Sequence, residues 1–307
     1  MKNLLIRFGR EPKEAFREAI RFTTGVLLIC FLAKLSQMFQ LSIFIVSALY
    51  TALTYRNGIL FAIGSIVVSS VILFSLSAGG DIVVAMGSIG VVVGELYYRK
   101  RNMMTAIMTA AVMVVLGHVL VIRIANEQLG MDVIEYQFNR IAKTMQEQTG
   151  VSDMINYNIE QAKSMMRLLL PSILVTIGLG VGVLNYFFAG SIVDRMDPSK
   201  QDFKSFGEFR MPGSALMAAL ITFAGIYLVS RLMGYEWDTL YYNLAVIYSF
   251  LFTLQGLAVI DRMILKSRRS LVRSLVLVTM VFSVFLYPFF VTMGALDSIF
   301  NIRKLPR

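Results

Sequence analysis

Residues 168–191 read LLLPSILVTIGLGVGVLNYFFAGS, a run with no charged side chain that is closed by Arg167 on one side and by Asp194 and Arg195 on the other. Crossing about 30 Å of hydrocarbon takes roughly 20 mainly apolar residues, because every backbone N–H and C=O must be paired inside the segment. The run therefore reads as a membrane span. The pattern repeats on both sides of it, at 18–35, 39–55, 58–77, 82–98 and 103–123 before, and at 214–234, 241–260 and 275–294 after. With 57% hydrophobic residues, 16% charged and a mean hydropathy of +0.69, the chain carries more apolar surface than 307 soluble residues can enclose around one core. The expected fold class is all-α, a polytopic transmembrane helical bundle of about eight or nine spans.

The charges give an orientation. Lys2, Arg7, Arg10, Lys13, Arg17 and Arg21 precede or open the first span, and Arg56, then Arg99 to Arg101, follow the second and fourth. Arg195, Lys200, Lys204 and Arg210 follow the sixth, and Arg262, Lys266, Arg268, Arg269 and Arg273 the eighth. Positive residues in alternate connectors put those connectors and the N-terminus in the cytoplasm. The N-terminal run is too long and too charged for a signal-peptide n-region, so it reads as a retained anchor. A net charge of +10 distributed in this way points to the membrane and not to nucleic acid, for which no stacking platform is present. One Cys (Cys30) and one His (His118) exclude an internal disulfide and a His/Cys zinc site, so no metal and no cofactor are expected. Nine spans would leave Arg303, Lys304 and Arg307 outside, against the charge trend, whereas a break at Pro288 would return them to the cytoplasm. Both arrangements stay open at this level.

Three regions follow: an N-terminal membrane bundle over 1–125, a polar segment over 126–166, and a C-terminal membrane bundle over 167–307. The middle region holds Glu127, Asp132, Glu135, Glu147, Asp153 and Glu160. Met131, Ile134, Phe138, Ile141 and Met145 recur there at three- and four-residue spacing, one apolar stripe on a helix. Gly130 and Gly150 punctuate it, and Ser152 is positioned as the N-cap of a second helix. An extracytoplasmic helical hairpin is expected, as a lid, a docking surface or an amphipathic connector on the headgroups. In the connector after the sixth span, Pro198 and mixed charges mark a loop, and Pro212 suits the first turn of the next helix.

No catalytic constellation is present. No Lys follows a Gly, which removes the P-loop, and H-E-x-x-H, C-x-x-C and G-x-S-x-G are absent; the chain is not expected to be an enzyme. Polar groups at membrane depth are costly and mark candidate ligand-binding positions: His118, Asn185, Gln255 and Asp297. The competing role for each is a hydrogen bond between helices. Glu95, Lys34 and Arg231 fit membrane edges, and Asp81 after Gly79 and Gly80 fits a helix N-cap. Small residues mark close helix packing or a partner interface: Gly87, Gly90 and Gly94, Ala106 and Ala110, and Gly178 and Gly182.

Several short motifs in fixed order resemble one family: Arg56-Asn57-Gly58, Leu170-Pro171, Phe209-Arg210-Met211-Pro212, Leu254-Gln255-Gly256-Leu257-Ala258-Val259-Ile260, Gly294-Ala295-Leu296-Asp297 and Asn301-Ile302-Arg303-Lys304. In these the chain resembles the YybS-like family of predicted multi-pass bacterial membrane proteins, a domain of unknown function. Where several members carry an aromatic after the terminal Asp, this chain has Ser298 and Ile299. The family is distantly similar to the substrate-binding S components of energy-coupling-factor transporters. That resemblance implies a bacterial cytoplasmic membrane, a small-molecule ligand bound by the first six spans, and a separate coupling subunit with ATPases. The chain departs from S components in its extra spans, and in showing small-x-x-x-small spacing only at Ala15 and Ala19, in the charged lead-in to span one. The other class of function is a non-transporting scaffold or assembly factor, with the lipid bilayer and partner proteins as its contacts and a homo-oligomer allowed.

Overall fold

The computed structural model describes residues 11–35, 43–76, 78–149, 153–196, 205–211, 215–233, 237–264 and 286–305. Among these the regular structure is entirely helical. The helices are α1 (Pro12–Leu35), α2 (Ile43–Asn57), α3 (Ile59–Ser75), α4 (Gly80–Tyr98), α5 (Met103–Leu129), α6 (Val133–Thr149), α7 (Asp153–Met196), α8 (Ala215–Met233), α9 (Trp237–Ile264) and α10 (Tyr287–Phe300), with a 3-10 turn at Phe206–Glu208. Five are long and apolar enough to cross a membrane: α4, α5, α7 from Asn158, α8 to Leu232 and α9 from Asp238 to Met263. α3 is apolar but shorter. The start of the span expected at 39–55, most of that at 275–294, and Gly150, Ser152, Pro198 and Pro212 lie outside the described residues.

The chain divides into two compact units. The first comprises Met1–Gly117 and Ile177–Lys204. Its centre is α2, in which every residue from Tyr50 to Asn57 is buried. A helix enclosed on all sides has no use for an apolar stripe, and its polar side chains return bonds to their own backbone. Thr54 Oγ1 donates to the Tyr50 carbonyl (2.7 Å), and Thr51 Oγ1 stands 3.0 Å from the Ser47 carbonyl. The glycine stripe of α4 lets that helix lie directly on α2. A Cβ at Gly90 would stand 2.5 Å from the Ser47 carbonyl oxygen, and one at Gly94 2.6 Å from that of Thr51, distances no side chain tolerates. Gly87 faces Ile66 and Tyr50 in the same way. α5 and α7 meet on similar terms: a Cβ at Gly178 would fall 2.7 Å from the Ala111 carbonyl oxygen and one at Gly182 2.6 Å from that of Ile107, beside fully buried Ala106 and Ala110. All seven small residues singled out in the sequence thus lie in helix contacts within this chain. At the start of α4 the N-cap is Gly79, in the left-handed region at φ 85°, and not Asp81. Asp81 sits in the first turn, where its carboxylate faces the positive end of the helix dipole.

The second unit comprises His118–Thr176 and Ser205–Arg307. Here α7 carries a proline, Pro171, in its interior. Proline crowds the preceding turn and opens the ladder around it. The opened bond, Ser172 N–H to the Leu168 carbonyl, is replaced by a side chain from α9. Ser172 N–H donates to Asn243 Oδ1 (2.9 Å) while Asn243 Nδ2 donates to the Leu168 carbonyl (2.7 Å). Asn243→Leu is expected to orphan both groups at about 1–2 kcal/mol, limited by their partial re-pairing with each other. Faster amide exchange at Ser172 with a lower thermal midpoint in detergent is the expected reading, and unchanged exchange there would remove Asn243 from that role.

α6 is tied to α7 by ion pairs. Arg167 Nη2 reaches Asp132 Oδ2 (3.1 Å) and Glu135 Oε2 (3.2 Å), and Lys163 Nζ reaches Glu135 (3.6 Å) and Glu160 (3.3 Å). Gly130, at φ 64°, makes the turn out of α5, and Asp132 caps α6 by accepting the Ile134 N–H at 2.8 Å. Desolvation pushes the Asp132 carboxyl up, but the Ile134 and Glu135 N–H groups and the Arg167 guanidinium outweigh it and hold the carboxyl below the ordinary carboxylate range. A depressed folded-state pKa stabilises above the unfolded value, near 3.8 for this group, and is lost as pH falls through the lower folded one. Amide protection in α6 should therefore fall on acidification below pH ~4. In Asp132→Asn that acid step should shrink, and an identical step in both proteins would exclude Asp132 as its source.

Candidate functional site

Two buried polar clusters answer to the candidate residues, one in each unit. In the first unit Asn185, fully buried on α7, donates through Nδ2 to Ser47 Oγ and accepts from Thr51 Oγ1 at 2.7 Å. Both partners are on α2. Further along, Tyr50 Oη donates to Ser69 Oγ (3.0 Å), Ser69 Oγ to the Ser65 carbonyl (2.7 Å), and Ser65 Oγ shares a proton with Thr23 Oγ1 (2.6 Å). These bonds stitch α1, α2, α3 and α7 through the interior. At the end of α2, Arg56 Nε donates to Glu18 Oε1 at 2.7 Å with both side chains buried, and Asn57 Nδ2 donates to the Ala15 carbonyl at 3.1 Å. The charged lead-in to span one is accordingly part of α1, with Ala15 and Ala19 facing the interior.

In the second unit the candidates Gln255 (α9) and Asp297 (α10) are bonded to one another, Gln255 Nε2 donating to Asp297 Oδ2 at 2.9 Å. They meet because α9 and α10 cross at glycines: a Cβ on Gly256 would collide with the Phe290 carbonyl, and one on Gly294 with that of Phe252. Asp297 also receives Arg303, through Nη2 at 2.7 Å, Nε at 3.1 Å and the backbone N–H at 3.2 Å; each side chain of the pair is 1% exposed. Arg303 Nη1 donates to the Gly207 and Phe209 carbonyls, each at 2.8 Å, and Met211 N–H donates to Gln255 Oε1 at 3.2 Å. Asp261, fully buried, lies against Gly207. Positive φ at Asn301 (48°) and Lys304 (52°) turns the chain back on itself so that Arg303 faces inward.

His118 is half-buried on α5 and belongs to the second unit, whereas Asn185 belongs to the first. The structure therefore brings Gln255 and Asp297 together and gives Asn185 separate partners. Sequence reasoning missed Arg303, Asn243, Ser47, Thr51 and the Glu18–Arg56 pair. The available signal was the place of Arg56, Gln255, Asp297 and Arg303 in the short motifs quoted above, since the carbonyls that Arg303 binds carry no sequence mark. Chemically, both clusters offer an amide and a charge pair, and the first adds hydroxyls. Among the described residues no group of three or more His, Cys, Asp or Glu is placed to hold a metal. An open groove of about 520 Å³ runs along α5, lined by Asn102, Met104, Thr105, Met108, Thr109, Val112 and Met113.

Comparison with known proteins bears on the same segments. The chain is 24% identical over 270 residues to the uncharacterized protein YybS of Bacillus subtilis (strain 168), covering 82% of this chain and 84% of the relative. No solved structure matches it. Residues 23–298, from α1 through the Gln255–Asp297 bond, match a family described as predicted membrane protein (DUF2232), and the chain belongs to that family.

Proposed function

We propose that this protein is a non-enzymatic membrane component that binds a small molecule in the manner of an S component, within a chain of eight or nine crossings. The observation that carries the reading is the composition of the first unit, in which α1 to α5 and the second half of α7 gather as one compact body. Six helices are what an S-like bundle requires. Under this reading the N-terminus is cytoplasmic in a bacterial inner membrane, and α6 with the start of α7 forms an outer hairpin. Asn185 of the first unit lines the ligand path, with a separate coupling subunit and ATPases as partners.

A second reading, a scaffold or assembly factor, is favoured by one specific observation. Asn185, Gln255 and Asp297 are each at most 1% exposed and spend their polar atoms on protein partners.

A mild-detergent or nanodisc pull-down from native membrane, with mass spectrometry of proteins and small molecules, separates the two. Copurified ATPases with a coupling subunit, or a stoichiometric metabolite, is the result expected of the binding reading. Envelope, division or signalling proteins without a ligand would overturn it in favour of the scaffold. If a metabolite copurifies, Asn185→Ala should lower its occupancy several-fold with insertion intact. Unchanged occupancy would remove Asn185 from the path.

A further inference from the structure

We infer that residues 301–305 and the connector 205–211 lie at the same face of the membrane, held together by a latch built on Asp297 and Arg303. Arg303 Nη1 donates directly to two carbonyls of the connector, and Arg210 Nη1 returns a bond to the Leu305 carbonyl at 3.3 Å. Segments joined by such bonds cannot be separated by about 30 Å of hydrocarbon. The chain from 211 to 303 must therefore cross an even number of times. Among the described residues α8 and α9 supply two of these crossings by length and composition.

α10 is held against α9 by backbone proximity, through Gly256 and Gly294. The connector follows the basic sixth-span flank, which assigns the shared face to the cytoplasm. The Asp297–Arg303 pair, 1% exposed on both sides, is the closure that keeps the connector against α9 and α10.

The test uses single cysteines in the full chain, with unsubstituted protein as the blank because its only thiol, Cys30, is buried. Ser205→Cys and Ile302→Cys are probed with a membrane-impermeant maleimide in intact spheroplasts and in inside-out vesicles. Both residues are expected to label only in inside-out vesicles. Labelling of 302 from the opposite side to 205 would overturn the shared face, and labelling of both from outside would overturn its assignment to the cytoplasm. Adding Asp297→Asn to Ser205→Cys should raise its labelling rate at least about tenfold by releasing the connector. An unchanged rate would overturn the latch, and that arm is independent of the sidedness result.

Discussion

Arg303→Met is expected to destabilise the second unit by about 3–5 kcal/mol, the cost of stranding a buried charge whose partner has been removed. The guanidinium makes four hydrogen bonds at once, two to the Asp297 carboxylate and one each to the Gly207 and Phe209 carbonyls. Methionine matches the length of the stem and restores none of them. Gln255 and the Arg303 backbone N–H still reach Asp297, so the carboxylate is not wholly abandoned, which sets the loss toward the lower end of the range. Arg303→Lys should recover only part, because one ammonium cannot address a carboxylate and two carbonyls in the geometry of a planar fork. Thermal unfolding in a fixed detergent, followed by cysteine accessibility in the 205–211 connector, reads both variants. Midpoints indistinguishable from the parent in both would show that the pair contributes little and that the crossing of α9 and α10 holds the unit alone.

The second large effect belongs to that crossing. Gly294→Ala and Gly256→Ala should each destabilise by about 3 kcal/mol or more, at the top of the range for overpacking, because the new methyl meets a backbone carbonyl rather than a side chain that can rotate away. Relief requires α9 and α10 to separate, which would also pull Gln255 from Asp297. Controls come from the same chain. Gly117 and Gly225 are helical with nothing within 4 Å of an added Cβ, so Ala there should be neutral or stabilising by up to about 1 kcal/mol. Equal losses at all four positions would show that helix flexibility, and not close packing, is what the glycines supply. Gly90 and Gly94 of α4 are predicted to behave like Gly294, since Ser47 and Thr51 carbonyls stand in the same relation to them.

These expectations also show how differently the parts of the molecule could be read. The helices and their membrane character follow from runs such as 168–191, because hydrocarbon admits only self-paired backbone and the apolar length is visible residue by residue. The small-residue stripes were equally legible as packing, although whether Gly87, Gly90 and Gly94 faced a neighbour or another subunit was not. Gln255 and Asp297 were marked by their cost at membrane depth, yet nothing in that cost named the other as partner. Asn243 was invisible for the opposite reason: an asparagine near a helix start is unremarkable until Pro171, far earlier in the chain, leaves two backbone groups for it to bridge.

By itself the sequence determined an apolar, all-helical membrane chain with basic connectors and the small-residue stripes of α4, α5 and α7, since these depend on local composition and on a solvent that forbids unpaired polar groups. Only the tertiary structure decided which polar side chains share a cluster, that α2 is enclosed on every side from Tyr50 to Asn57, and that Arg303 turns inward to the connector. Those outcomes depend on carbonyls and glycine contacts many tens of residues away. A backbone carbonyl is the same at every position, so its role as a partner is set by where the helices cross and not by the residue that carries it.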